Sequence, residues 1–141
     1  MNHRKFYLTS LVALFATFAH AEDKPVAPSD QRTFLSQYES VRAALASDDL
    51  SAAKQAATTI TAASNSTNAK TLAAAETLPA AREAFKGLSQ EALKASAGQP
   101  GYYHAHCPMV PNDEGDWVQT SKKISNPYFG KKMATCGSIE N

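Results

Sequence analysis

Six side chains able to hold a soft metal ion fall in one window of the sequence. His104, His106, Cys107 and Met109 form one cluster, and Met133 with Cys136 forms the other. From Glu22 to Tyr103 there is no His, Cys or Met. Thiolate and thioether sulfur select Cu(I), and imidazole adds a borderline donor. On one helical turn, Met133 and Cys136 at i, i+3 would share a face. On a strand, His104 and His106 would share a face and Cys107 would take the other. The primary ligand pair is then Cys107 and Cys136, with Met109, Met133 and His106 next and His104 the weaker member. Tetrahedral Zn(II) on both Cys and one His is a lesser reading, because the spacing matches no standard zinc motif. A structural disulfide accounts for the same two cysteines. It would close a loop of about 30 residues and stabilise the fold by roughly 3–4 kcal/mol. The readings are compatible, since an oxidised pair could be the metal-free state.

Other chemistry finds little support. The 141 residues carry 14 Lys and Arg against 13 Asp and Glu, without the basic excess of a nucleic-acid binder. Two cysteines exclude a disulfide-dense scaffold, a four-Cys zinc module and a cysteine-ligated iron–sulfur cluster. No Cys-x-x-Cys, Gly-x-Ser-x-Gly, His-Glu-x-x-His or Gly-rich phosphate loop occurs. Asp113, Glu114 and Asp116 lack the glycine and closing Glu of a calcium loop and read as a solvated acidic turn. The chain is read as a binding protein, not an enzyme.

The N-terminus reads as an address. Arg4 and Lys5 precede an apolar run from Phe6 to Ala19, and Ala19-His20-Ala21 offers a cleavage site, so residues 1–21 are expected to be a secretory signal peptide. The run is shorter than the roughly 20 apolar residues of a membrane span, and no later segment is long and apolar enough. Cleavage would leave a slightly acidic, soluble chain in an oxidising compartment.

The elements that must position the cluster are helical first and irregular after. Residues 22–29, with two prolines, read as a flexible leader. Phe34, Tyr38, Val41 and Leu45 then step along one helix face, as do Leu50, Ala53, Ala57 and Ile60. Ser47-Asp48-Asp49 supplies N-cap candidates between them. A third helix is expected from Ala69 to about Thr77. A fourth, after the break at Pro79, carries Leu78, Ala81, Phe85, Leu88 and Ala92 to about Ala97, where Gly98 and Pro100 end it. This predicts a mainly α fold: an antiparallel up-and-down bundle of about four helices over 30–98. Ala supplies 26 residues of the chain, so the bundle buries little apolar area per residue. Residues 99–141 hold the only Trp and four of the seven prolines. They read as an irregular cap within the same domain, with Tyr102–Cys107 as a short strand and Trp117–Ile124 as a short helix or extended piece. Trp117, Tyr128 and Phe129 are its expected packing anchors.

Four blocks of the cap carry a resemblance. His106-Cys107-Pro108-Met109, Gly115-Asp116-Trp117, Ile124 to Gly130 (Ile-Ser-Asn-Pro-Tyr-Phe-Gly) and Met133-Ala134-Thr135-Cys136-Gly137 look like a bacterial periplasmic family of unknown function. Its members occur alone or attached to periplasmic adaptor subunits of copper/silver-type efflux pumps. The family's motif positions fall on Cys107, Met109, Trp117, Asn126-Pro127-Tyr128, Met133 and Cys136-Gly137, whereas His104 and Val110 fall on variable positions. The resemblance implies a periplasmic protein that binds Cu(I) or Ag(I), holding or passing it in a heavy-metal efflux or tolerance system, with an efflux adaptor as partner. The alternative is a disulfide-stapled interaction module that contacts an adaptor or envelope protein and binds no metal.

Overall fold

A computed structural model describes residues 28–140. The expected signal segment 1–21 and the leader up to residue 27 lie outside the described residues. The fold is mainly α, with four helices followed by a small sheet: α1 (Pro28–Ala46), α2 (Leu50–Ala63), α3 (Thr67–Ala73), α4 (Leu78–Ser96), β1 (Tyr103–His106), β2 (Asp116–Gln119) and β3 (Ser138–Ile139). Short 3-10 turns occupy Pro111–Asp113 and Gly130–Met133. The first helix therefore begins inside the stretch expected to be leader, with Pro28 in a first-turn position where its missing N–H is not needed.

Polar caps set the helix boundaries. Of the candidates Ser47, Asp48 and Asp49, it is Asp49 that caps α2, its Oδ1 accepting from the Ala52 N–H at 2.9 Å. Ser66 accepts from Ala69 at 3.1 Å to start α3, and Thr77 from Ala80 at 3.3 Å to start α4. Pro79 lies in the first turn of α4 and so opens that helix. The third helix ends at Ala73, short of the expected Thr77.

Each helix packs on the next in sequence, and α1 packs on α4 to close the bundle. Leu35, Tyr38, Val41 and Leu45 form the inner face of α1, while Phe34 is only partly buried. The buried stripe is thus turned from the expected one, with Leu35 in place of Phe34. Ala53, Ala57, Ala69, Ala81 and Ala92 are all fully buried. Small side chains at these positions let the helix backbones approach closely.

The cap is a three-stranded antiparallel sheet of order β2-β1-β3 lying on α4. The expected Trp117–Ile124 element is instead the strand Asp116–Gln119, which begins one residue earlier and ends five earlier. Tyr38 stacks on Phe85 at 5.3 Å between ring centroids. Phe85 meets Tyr128 edge-on at 5.6 Å, and Tyr128 meets Trp117 at 6.1 Å. These rings run from bundle to sheet, and such contacts add about 0.5–1.5 kcal/mol per pair beyond area burial. The Tyr38 and Ser89 hydroxyls bond at 2.9 Å, and Tyr38 accepts from the Val118 N–H at 3.2 Å. The Tyr128 hydroxyl donates to the Asp116 carbonyl at 2.5 Å. Burial pushes both phenols well above their ordinary range, so both remain protonated.

Two arginines tie the irregular segment to the helices. Arg42, held by Glu39 at 2.7 Å, donates from Nη1 to the Ser125 carbonyl at 2.8 Å. Arg82 donates from Nε to the Pro127 carbonyl at 2.9 Å, and from Nη2 to the Leu45 carbonyl at 3.1 Å and Asp48 Oδ1 at 2.6 Å. Asp48 sits in the turn between α1 and α2 with φ 59°, and its Oδ2 accepts from the Lys131 N–H at 3.2 Å. Gly130 takes φ 54° beside this group, where a β-carbon would collide with Asp48 and Arg82.

Arg82→Ala should cost roughly 2–3 kcal/mol in urea unfolding, from the loss of charge-assisted bonds to two carbonyls of buried residues. The Arg82 guanidinium holds the Asp48 carboxyl below its ordinary value of 3.8. The carboxylate is favoured in the folded chain. Its contribution is complete above the unfolded-state value and is lost as pH falls through the lower folded value. Melting temperature should therefore fall with acid below about pH 4, and Asp48→Asn should flatten that part of the profile.

Candidate functional site

The cap is built outward from β1. Alternation along the strand turns Ala105 inward, and the same parity carries Cys107 inward just beyond its end. His104 and His106 take the opposite face. The ladder extends past the strand because the Cys107 N–H donates to the Gly115 carbonyl at 3.0 Å. A β-carbon on Gly115 would strike the Cys107 carbonyl, so this close approach requires glycine.

Cys107 and Cys136 meet as a disulfide, with their α-carbons 5.9 Å apart and a sequence separation of 29. Cys107 is fully buried and Cys136 partly so. The link joins the end of β1 to the chain entering β3, where His106 is paired with Ser138. Met133 closes the preceding 3-10 turn, and its carbonyl accepts from the Cys136 N–H at 3.0 Å. Met109 points outward, 60% exposed. The six soft-ligand residues therefore share one cap but not one pocket: the sulfurs of the cysteines are joined inside, and the imidazoles lie outside.

The imidazoles have their own partner. His104 Nε2 lies 2.6 Å from Asp116 Oδ1, and His106 Nδ1 lies 3.2 Å from the same oxygen. His106 Nε2 lies 3.3 Å from Asp113 Oδ1. The register explains the convergence. His106 stands directly opposite Asp116, and His104 sits on the same face one pleat along. Of the turn read from sequence as solvated and acidic, Asp113 is 89% exposed, whereas Asp116 is partly buried and holds the two histidines. Glu114 of the same turn pairs with Lys86 of α4 at 2.9 Å. Bonds to Glu83 and Glu114 hold the Lys86 ammonium above its ordinary range.

Two buried amides organise the loops that present these groups. Asn126 donates from Nδ2 to the Cys136 carbonyl at 2.8 Å, while its Oδ1 accepts from the N–H groups of Tyr128 at 2.8 Å and Phe129 at 3.0 Å. Gln119 Oε1 accepts from Trp117 Nε1 at 2.9 Å and the Ser125 N–H at 3.2 Å. Its Nε2 donates to the carbonyls of Ser121 and Lys123. Trp117 and Tyr128 are buried and Phe129 is packed against the core. Among the described residues, no buried side-chain nitrogen or oxygen lacks a partner, and no three His, Cys, Asp or Glu side chains are spaced as a ready metal shell.

The sequence marked Asn126 only as a motif position, without its hub role, and gave no role to Gln119, Arg42, Arg82 or Ser89. A weak signal existed for Gln119, a polar residue next to Trp117-Val118. None existed for the arginines, whose acceptors are backbone carbonyls distant in sequence. No protein-family model, no curated protein and no solved structure matches the chain.

Reduction of the disulfide should lower stability by about 3–4 kcal/mol, through the loop entropy returned to the unfolded chain. For a domain of this size the melting temperature should fall by roughly 10–20 °C, readable by circular dichroism with and without reductant.

Proposed function

We propose that the chain is a disulfide-stapled interaction module of an oxidising extracytoplasmic compartment, which the family resemblance points to as the periplasm. It binds an envelope or efflux-adaptor protein rather than turning over a substrate. The observation that carries this reading is the Cys107–Cys136 crosslink with Cys107 fully buried. Such pairs persist in oxidising compartments and are rare where thiols are kept reduced. The staple holds the ends of β1 and β3 together, so the cap offers one preformed surface. A preformed surface loses less conformational freedom on association than a loose one. Met109, 60% exposed in the turn after β1, is the contact residue this reading assigns. The export signal read from residues 1–21 agrees with the compartment.

A second reading is favoured by one specific feature. The two sulfurs are adjacent although their stretches are far apart in sequence, with Met133 one short turn before Cys136. Reduced, the pair would supply two neighbouring thiolates for Cu(I) or Ag(I), and the module would hold or pass the cation in heavy-metal efflux. Zn(II) on both Cys and a His is less favoured, because the imidazoles face away from the sulfurs.

Thiol titration and anaerobic Cu(I) titration separate the two. On the interaction reading, freshly isolated protein has no titratable thiol, and the oxidised chain co-elutes with a purified copper/silver-type adaptor subunit. Cys107→Ser mainly lowers the melting temperature. On the metal reading, the reduced protein takes Cu(I) from a chromogenic chelator, and Cys107→Ser abolishes that binding. Two free thiols in native protein, with no adaptor binding, would overturn the interaction reading.

A further inference from the structure

We propose that the outer face of the sheet is a site for a borderline divalent cation, of the Zn(II) class, held by His104, His106 and Asp116. It is distinct from the sulfur pair, needs no reduction of the disulfide, and does not depend on the partner reading above.

The geometry of the donors carries this. Nε2 of His104 and Nδ1 of His106 close on a single carboxylate oxygen, at 2.6 and 3.2 Å. In a tetrahedral shell with bonds of 2.0–2.1 Å, donor atoms stand about 3.3 Å apart. The His106–Asp116 separation is already near that value. The His104–Asp116 contact has to open by less than 1 Å, a proton-bridged contact giving way to a metal-bridged one. His104 is the freest of the three, its side chain 41% exposed, so the movement falls on the residue best able to make it.

The surroundings fit the same chemistry. Imidazole and carboxylate suit Zn(II) and its neighbours. A histidine that binds a metal through one ring nitrogen usually gives the other to a carboxylate, which fixes its orientation. Asp113 lies on that side of His106, its Oδ1 3.3 Å from Nε2, although its side chain is 89% exposed. Asp113 and Asp116 bring negative charge to balance the cation. The one ammonium paired to this acidic turn in the contacts above, Lys86, is held by Glu114 and Glu83. The frame is stiff: β1 and β2 set the register of His106 with Asp116, and the disulfide begins at the next residue. Three protein donors leave a fourth position for water or for a donor from another molecule.

Zinc titration of the chain, with its disulfide intact, tests the site by calorimetry. One zinc per chain is expected to bind at micromolar concentration. His104→Gln and His106→Gln should each weaken it by roughly tenfold or more, while the metal-free chain keeps its helical circular dichroism spectrum. The other two histidines of the sequence, His3 and His20, fall in the expected signal segment, so titrating the chain from Glu22 onward leaves His104 and His106 as its imidazoles. Absence of saturable binding would overturn the proposal. So would full binding in the His104→Gln/His106→Gln double variant.

Discussion

The covalent link between Cys107 and Cys136 is the constraint on which the cap depends. The cap has ten residues in strands, and its third strand has two. So short a strand cannot hold its place by its own ladder bonds. The crosslink supplies the missing closure by fastening the chain before β3 to the end of β1. The pairing of His106 with Ser138 then follows, and with it the seat of Trp117 against the sheet. The consequences differ on the two sides. Inward, the linked sulfurs fill core space beneath the strands. Outward, the same strand presents two imidazoles in a register that its fastened end keeps from slipping.

Polar side chains complete what the staple begins. Most of residues 107–137 is neither helix nor strand, so its backbone groups need other partners. Asn126 and Gln119, both buried, act from within the segment, and Arg42 and Arg82 act from the helices. Their targets are largely carbonyls, whose positions do not depend on the identity of the residues that bear them. The aromatic series Tyr38, Phe85, Tyr128 and Trp117 supplies the apolar part of the same junction. An Ala-rich bundle buries modest area on its own, and it gains a second core where these rings meet.

Legibility in the sequence tracked the range of the interaction. The four helices were readable because apolar spacing and caps act within a few residues: Asp49 lies beside the turn it starts, although Thr77, read as the end of α3, proved to be the cap of α4. The rotation of α1 that exchanges Leu35 for Phe34 was not readable, since it depends on which neighbours lie opposite. The strand Tyr102–Cys107 could be read from its composition. The partner Ser138–Ile139 could not, being two residues long and defined only by pairing. The cysteines, the histidines and Met109 were identifiable as chemistry-bearing groups by type. Their division between the two faces of β1 follows from strand parity. The capture of both imidazoles by Asp116 needed the cross-strand register, which sequence spacing alone does not contain.

Trp117 is the only tryptophan of the chain, and it is fully buried between Tyr128 and the backbone near Gly137, the residue after Cys136. Its indole is therefore a built-in optical probe of the junction rather than of the helices. Helical far-ultraviolet signal and indole emission report on separate parts of one molecule. If the tail loosened while the bundle persisted, fluorescence would shift to longer wavelength with ellipticity preserved. Coincidence of the two signals would instead mean that bundle and tail melt as one cooperative unit.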